Sequence, residues 1–436
     1  MEFTASQQTD SQHSKTHPKF KIYNNKIYYV WSEYGINAAK QIWYATSNLD
    51  GTEFVEIQLT SGSKGMNEPE LYIYNNIVYM SWYGETDEST ISQIWIASMN
   101  LDASDFRVIY TTNYSIESRR PKIAVKNDVI YLVFEINKYD ATRYKHMMLA
   151  KVNIDGSGFQ DEAASSSPNE VVSSVEIFVT EDDNDNNVYY LWTRNYFIDD
   201  PPSLHLYSSN DTNLQDFTQI LSIQDAYSRD LYVKDNKIYF TWTQYRNSDG
   251  MCSVVNTDGS EYKDLLINEE MTYSLLQVTK INENDIIDFA ITNKTDSSFP
   301  IDTYQLLSAW YNINTEEYSE TELVNDIIIG SNYYLNAQFF RKSDKIHYVW
   351  QQRDENKYHQ IWTGILSLES IYDFCQWVED KGGPEFITAF DIMQLVQAYL
   401  GMEDLGFEVT AILIMASVVY YLGYISQGND MSGCDF

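Results

Sequence analysis

Apolar and polar residues alternate with a period of two along most of the chain, and one aromatic phrase returns throughout it. The phrase Ile27-Tyr28-Tyr29-Val30-Trp31 recurs from Val78 to Trp82, and a decayed copy runs from Ile286 to Ala290. The other copies begin at Ile130, Val188, Ile238 and Ile346. The seven copies start 48 to 60 residues apart. A period of two predicts β-strands and argues against helical repeats.

Each copy lies in a longer unit of four predicted strands. The first strand is apolar and opens near a proline, as at Pro18, and a polar turn such as Asn24-Asn25 leads into the aromatic strand. A third strand follows, for example Gln41-Ile42-Trp43, and a turn such as Asn48-Leu49-Asp50-Gly51 precedes the fourth. Four antiparallel strands in about 50 residues is the size of a propeller blade. The sequence therefore predicts a mainly β chain, with a seven-bladed β-propeller of four-stranded blades over residues 1–373.

The two ends of this repeat region complement each other. The last unit reaches Tyr372 without a fourth strand, whereas residues 3–9 at the start match the fourth-strand stretch 54–60 at an offset of 51. We therefore expect the N-terminal strand to complete the last blade, which would remove an exposed sheet edge.

The pattern changes to a helical period in residues 374–436. The segments Thr388–Gly401 and Thr410–Gly423 share residue types at an offset of 22, and each runs from a Thr suited to a helix N-cap to a Gly suited to a C-cap. These features predict a small α-helical hairpin module after the propeller. Its apolar stretch Val409–Leu422 is too short to span a bilayer.

Composition limits the classes of partner. The formal net charge of −34 disfavours binding to nucleic acid or to anionic membranes. Met1 is followed at once by polar residues, so the sequence predicts no signal peptide at this start, and we interpret the chain as part of a longer secreted precursor. The sequons at Asn113, Asn210 and Asn293 agree with an extracellular or cell-surface location.

Polar residues at the strand ends are the candidates for ligand binding. They lie two positions after the aromatic column or directly before the first strands, where the loops of a propeller form its mouth. This set is polar, mixed in charge and backed by Trp and Tyr, which suits a sugar or a peptide. Its alternative is a solvated loop surface, and no residue is singled out as catalytic. The predicted ligand-binding residues are His17, Glu33, Glu68, Arg120, Arg194, Gln244 and Gln352.

Two further features suggest a metal and a disulfide. Asp183, Asp185 and Asn187 present alternate oxygens, as calcium loops do, but the following Gly and the distal Glu of such loops are missing, which favours the alternative of a solvated turn. Cys375 and Cys434 bracket the C-terminal segment and are a candidate disulfide, with two unpaired thiols as the alternative.

The repeat resembles the sialidase-like propellers that carry Asp-box turns, and the resemblance covers residues 3–373. The turn Asn-x-Asp-Gly-x-x-Phe is similar to a decayed Asp-box, which in that family is structural. The enzymes of the family have three arginines for the substrate carboxylate, a Tyr–Glu nucleophile pair and an acidic proton donor. The family's Arg-Ile-Pro motif is matched loosely by Arg119-Arg120-Pro121-Lys122-Ile123, and Arg229 and Arg341 lie in other first strands. The family's enzymes have six blades rather than seven.

The C-terminal pair of 22-residue units resembles dockerins, which dock into cohesins with the help of calcium. Asp380 and Asp391 match two of the family's calcium positions, but Gly382 and Pro384 replace two others. The resemblance implies a cohesin-like partner, and a plain cap on the propeller is the alternative.

Taken together, the sequence predicts a secreted or cell-surface propeller that binds glycan or protein, with a C-terminal module that docks or caps. The scattered histidines and the missing nucleophile elbow favour binding over catalysis. A sialidase-like glycoside hydrolase is the alternative, and a structural surface-layer or filament subunit is a second one.

Overall fold

A computed structural model describes the chain over fifteen ranges. These are residues 2–34, 39–137, 145–164, 171–180, 187–195, 201–210, 217–245, 250–268, 275–281, 286–296, 301–312, 318–330, 338–342, 345–354 and 358–367. The chain divides into a compact unit from Phe3 to Ile365 and a second unit of Met1–Glu2 with Leu366–Phe436. The predicted helical module at 374–436, the pair Cys375–Cys434 and most of the acidic turn at 181–186 lie outside the described residues. Within those residues every regular element is a strand.

The described residues form 28 strands, because the alternating pattern is followed almost everywhere by a tight polar turn. Strands β1 to β14 are Glu2–Gln7, Lys15–Tyr23, Lys26–Tyr34, Lys40–Asn48, Val55–Gln58, Met66–Tyr74, Ile77–Gly84, Gln93–Asn100, Arg107–Thr111, Glu117–Lys126, Val129–Asn137, Lys145–Asn153, Gln160–Ala163 and Val171–Val179. Strands β15 to β28 are Asn187–Asn195, Ser203–Asn210, Phe217–Gln224, Ala226–Lys234, Lys237–Gln244, Gly250–Asn256, Lys263–Asn268, Leu275–Ile281, Ile286–Asp296, Ile301–Asn312, Tyr318–Gly330, Gln338–Lys342, Lys345–Arg353 and His359–Ser367.

The strands form four-stranded antiparallel groups, as the repeat predicts. Five separate sheets have the orders β2-β3-β4-β5, β6-β7-β8-β9, β18-β19-β20-β21, β22-β23-β24-β25 and β1-β28-β27-β26. An eight-stranded sheet consists of the groups β10–β13 and β14–β17, which one parallel residue pair, Lys145 with Val171, connects. The mainly β prediction is thus confirmed for the described residues.

The N-terminal strand completes the last sheet, which confirms the prediction from the matching ends. Strand β1 lies beside β28. The backbone N–H of Gln8 donates to the carbonyl of Ile361 at 2.8 Å, and the Thr9 hydroxyl donates to Gln360 Oε1 at 2.8 Å. The Gln8 amide also donates to the Thr363 hydroxyl at 2.8 Å. These bonds satisfy an edge that would otherwise stay open.

The first strands of the groups pack against one another in chain order. Strand β2 packs on β6, β6 on β10, β10 on β14, β14 on β18, β18 on β22 and β22 on β26, while β26 also packs on β2. Apolar clusters fill the space between neighbouring groups. Trp31 and Trp82 of the aromatic column lie in these clusters, and Trp350 is also fully buried. Trp82 stacks on Trp95 with ring centroids 6.3 Å apart.

The outer turns repeat one hydrogen-bond pattern. In the turn after β4, the backbone N–H and the hydroxyl of Thr52 donate to Asp50 Oδ1, and the Asn48 amide donates to the Thr52 hydroxyl. The same bonds recur around Asp102, Asp155 and Asp258. The donated bonds lower the pKa of these carboxyl groups, led by the side-chain bond of the following Ser or Thr. These aspartates therefore stabilise the outer turns.

Candidate active site at the strand bulges

A β-bulge interrupts the first strand at the same point in several groups. The register shifts between Thr16 and Lys19 in β2, and at equivalent places in β6, β10, β14 and β18. The first bulge residues have a left-handed backbone, with φ of 54° at His17, 48° at Glu68, 52° at Arg120 and 51° at Ser174. For residues other than glycine this conformation costs about 1–3 kcal/mol and is concentrated at functional sites.

The bulges correct one detail of the sequence prediction. Pro18, Pro69 and Pro121 were expected to open the first strands, with the candidate ligands just before them. The structure places these prolines and the residues before them inside the strands. A bulge frees a residue from the hydrogen-bond ladder, so it accommodates a proline, which has no N–H to donate.

Four ionisable side chains join across three consecutive groups. His17 Nε2 lies 3.7 Å from Glu68 Oε1, and Glu68 Oε2 lies 3.7 Å from Arg120 Nε. Arg120 Nη1 donates to Glu135 Oε1 at 3.3 Å. The Glu135 side chain is 1% exposed, whereas that of Arg120 is 52% exposed. We call His17, Glu68, Arg120 and Glu135 the charged corner. It holds an exposed guanidinium against a buried carboxylate.

Tyr83 and Arg119 border the charged corner. Tyr83 pairs in register with Asn67, directly before Glu68, and Arg119 pairs with Glu135. The Arg119 guanidinium carbon lies 5.9 Å from the centre of the Tyr83 ring. Burial, followed by the negative charge of Glu68, raises the pKa of the Tyr83 phenol, while Arg119 and Arg120 oppose the shift. A tyrosine hydroxyl, two guanidinium groups and a carboxylate thus share one electrostatic environment.

His17 is the neutral base of the corner. Burial, and then the positive charges of Lys40, Lys19 and Arg120, lower its pKa to about 4. At neutral pH the imidazole is therefore uncharged and can accept a proton. Its Nδ1 is buried without a hydrogen-bond partner among the described residues.

A ladder of alternating charges lies two residues further along the same first strands. Lys19 Nζ is 3.4 Å from Glu70 Oε1, Lys122 Nζ is 3.0 Å from Glu70 Oε1, and Lys122 Nζ is 3.1 Å from Glu176 Oε1. Asp230 occupies the equivalent place in β18, so the alternation ends with two acids. Burial, and then the Glu176 carboxylate, raise the pKa of Asp230 to about 7. We call Lys19, Glu70, Lys122, Glu176 and Asp230 the charge ladder.

The other predicted ligands have different surroundings. Glu33 is buried, and it accepts from Trp31 Nε1 at 3.0 Å and lies 3.1 Å from Lys15 Nζ. Gln352 accepts from Trp350 Nε1 at 3.1 Å. Arg194 and Gln244 are half-buried near the ends of β15 and β19. Among the described residues, ion pairs therefore connect three of the seven predicted residues, His17, Glu68 and Arg120, to one another.

The sequence analysis predicted no role for Tyr83 and Glu135, and it named Arg119 only in the loose match to the Arg-Ile-Pro motif. Tyr83 and Glu135 follow directly after Trp82 and Phe134, one position before the place where ligands were sought. The available signal was a comparison across repeats. Ser32, Thr193 and Thr243 occupy the same place in other groups, so a carboxylate at 135 is a departure from the repeat.

The calcium and disulfide predictions fall almost entirely outside the described residues and stay predictions. No group of three or more His, Cys, Asp or Glu in the described ranges could hold a metal ion. Of the predicted calcium ligands, Asn187 begins β15, and Asp183 and Asp185 lie outside the described residues. Cys252 is a buried free thiol, whose pKa is raised by that burial. Among the described residues we find no helix with the length and apolarity that a bilayer crossing requires.

Two solved structures show the fold. No protein-family model and no curated protein sequence matches the chain. The phage phi92 endosialidase superimposes with a TM-score of 0.53 at 12% identity, over 84% of this chain and 69% of that one. The polysaccharide lyase Uly1 superimposes with a TM-score of 0.51 at 9% identity, over 80% of this chain and 89% of that one. This chain has the fold of these two carbohydrate-acting enzymes.

This likeness contradicts the prediction of a binding role without catalysis. That prediction relied on the absence of sequence motifs, whereas the chain shares its fold with two enzymes that act on carbohydrate. The reason for the error is physical, because the side chains of the corner come from three repeats and form no local motif.

Proposed function

We propose that this chain is a sialidase-like glycoside hydrolase that cleaves an acidic glycan at the charged corner. We also propose that its seven strand groups form one closed seven-bladed propeller, with β1 as the closing strand. The observation that carries the function is the contact of exposed Arg120 with buried Glu135, beside Arg119, Tyr83 and Glu68.

The charge distribution supports an acidic substrate. The chain has 63 acidic and 29 basic residues, so most of its surface repels anions. At the charged corner, however, positive charge is concentrated. After burial, Lys40 and Arg120 help to lower the pKa of His17, and Arg119 and Arg120 oppose the rise in the pKa of Tyr83. Guanidinium groups bind carboxylates through two parallel hydrogen bonds. We therefore assign Arg119 and Arg120 to the carboxylate of the sugar.

Tyr83 and Glu68 supply the reacting groups. In this proposal Glu68 takes the phenolic proton as the Tyr83 oxygen attacks the anomeric carbon, the glycosidic bond breaks, and the departing sugar oxygen takes a proton from water. Hydrolysis of the tyrosyl–sugar bond then returns the proton from Glu68 to Tyr83. Neutral His17, 3.7 Å from Glu68, then activates the water that releases the sugar. The resemblance to sialidase-like propellers, with their Tyr–Glu pair and arginines, supports these roles.

A polysaccharide lyase is the second candidate, and one observation favours it. A neutral imidazole, a phenol and guanidinium groups in one place suit proton abstraction next to a carboxylate, followed by elimination of the neighbouring sugar. Elimination consumes no water and leaves a double bond in the product.

The test is a panel of acidic polysaccharides and aryl glycosides of acidic sugars, followed by new reducing ends and by ultraviolet absorbance. Hydrolysis gives reducing ends alone, whereas elimination also gives an absorbing unsaturated product. We expect Arg120→Ala and Tyr83→Phe to lower kcat/KM by at least about 100-fold, the scale of a lost transition-state interaction. Arg107→Ala, on outer strand β9, is the matched control and should stay active. Full activity of Arg120→Ala would contradict the proposal.

Two expectations accompany the function. Acidic polymers are abundant outside cells, so we keep an extracellular or cell-surface location as part of the proposal. Calcium at Asp183, Asp185 and Asn187 also stays a proposal, and a titration of Ca²⁺ against the Asp185→Asn variant tests it.

A further inference from the structure

Ser174 occupies the bulge position next to Arg120 in the order of the first strands. Strand β14 packs on β10, and the bulge of β14 lies at the same place in the repeat as those of β2, β6 and β10. The three earlier bulges carry charged or ionisable side chains, whereas this one carries a hydroxyl. The bulge residue therefore changes from an ionisable side chain in the third group to an uncharged hydroxyl in the fourth.

The backbone of Ser174 is held from the neighbouring group. Its carbonyl accepts a hydrogen bond of 2.5 Å from the hydroxyl of Ser228. Ser228 is fully buried, and its backbone N–H donates to Thr193 Oγ1 at 2.8 Å. In the fifth group Ser228 remains paired with Trp242, and its burial excludes contact with a ligand. The strand pairing and this anchor together hold Ser174 in the left-handed conformation.

The side chain of Ser174 is exposed although its backbone is fixed. A glycine would adopt φ of 51° without strain, and asparagine adopts it more readily than serine. The left-handed backbone of Ser174 therefore costs stability, and this cost suggests that its hydroxyl has a function. A hydroxyl both donates and accepts, which matches the ring hydroxyls of a sugar.

We propose that Ser174 forms a subsite that binds a hydroxyl of the sugar unit next to the acidic unit held by Arg119 and Arg120. This inference rests on the proposed function and narrows it. The substrate is then a chain of at least two units, in which an acidic sugar lies at the charged corner and a hydroxyl-bearing neighbour lies over β14.

Three variants at position 174 separate binding from stability. Ser174→Gly removes the hydroxyl and relieves the backbone, Ser174→Ala removes the hydroxyl and keeps the strain, and Ser174→Asn keeps a hydrogen-bonding group in a tolerated conformation. For an acidic oligosaccharide we expect Gly and Ala to raise KM about 3- to 10-fold, the size of one neutral hydrogen bond. For an aryl glycoside with one acidic sugar we expect no change. Asn should restore much of the lost affinity.

The matched control is Glu53→Gly. Glu53 is also exposed and left-handed, with φ of 53°, but it lies in an outer turn. Urea midpoints of Glu53→Gly and Ser174→Gly should both equal or exceed that of the wild type, while the control alone keeps its KM. If Gly and Ala leave KM unchanged, or raise it equally for the one-sugar substrate, the subsite is refuted while the hydrolase proposal stands. If the wild type neither cleaves acidic oligosaccharides nor binds them in calorimetry, both proposals are overturned.

Discussion

Replacement of Asp230 by Asn should change how the stability of the protein depends on pH. Asp230 ends the charge ladder beside Glu176, and its burial together with this neighbouring negative charge disfavours its ionisation. The positive groups that act on it are Lys122 from β10 and Lys21 from β2. Because the pKa of Asp230 is raised to about 7 in the folded protein, folding favours the protonated carboxyl. That stabilisation is complete below the unfolded pKa of 3.8 and disappears as pH rises through about 7.

The magnitude follows from the width of this window. Between pH 5 and pH 7 the unfolded carboxyl is ionised and the folded one is not, and two pH units correspond to about 2.7 kcal/mol. The Asp230 side chain is half-buried, so water screens its charge, and its ionisation is linked to that of Glu176. Both effects reduce the figure to about 1–2 kcal/mol. Asn cannot ionise, and it can still accept the backbone hydrogen bond from Leu231.

The assay is urea unfolding of the wild type and of Asp230→Asn at pH 5 and at pH 8. We expect the variant to gain about 1–2 kcal/mol relative to the wild type between the two pH values. Glu176→Gln should flatten the same window only in part, because it removes the neighbouring charge but leaves the burial that is the first cause of the raised pKa. Asp235→Asn is the control, since that side chain is 84% exposed in the adjacent turn. Stability differences that stay constant from pH 5 to pH 8 would refute the reasoning.

Three further predictions concern other parts of the molecule. Lys15→Met should cost about 3–5 kcal/mol in urea unfolding, because it leaves the buried carboxylate of Glu33 without its ion pair, and Lys15→Met/Glu33→Gln should recover most of the loss. Trp82→Ala should cost about 3–5 kcal/mol in the same assay, because it opens a cavity beside Trp95, and a cost below about 1 kcal/mol would contradict the packing. If neutral His17 is the base of the reaction, kcat/KM should fall as pH drops through about 4, and a pH–rate profile of His17→Gln should lack that limb.

Much of the fold was predictable because it depends on short-range chemistry. The period of two is visible within single strands. Pairs such as Asn24-Asn25 tolerate the positive φ that a tight hairpin requires, and both residues have positive φ in the structure. The likeness of residues 3–9 to 54–60 predicted the partner of β28, because equivalent strands take equivalent places in a repeat.

The site was only half predictable, because adjacent residues on a strand point to opposite faces. The position two residues after the aromatic column holds Glu33. Its carboxylate is buried, where it pairs with Lys15 and accepts a hydrogen bond from Trp31. One position earlier in the third group lies Glu135, which holds Arg120. Both are acids near the end of a second strand, and their local sequences do not distinguish them.

The sequence by itself determined the strands, their turns and the closing role of β1, because each depends on residues close together or on equivalent places in the repeat. Only the tertiary structure decided that His17, Glu68 and Arg120 meet, since they are about 50 residues apart and a bulge turns each away from the regular ladder. It likewise decided which neighbouring charges keep His17 neutral and raise the pKa of Asp230, because those charges come from other strands.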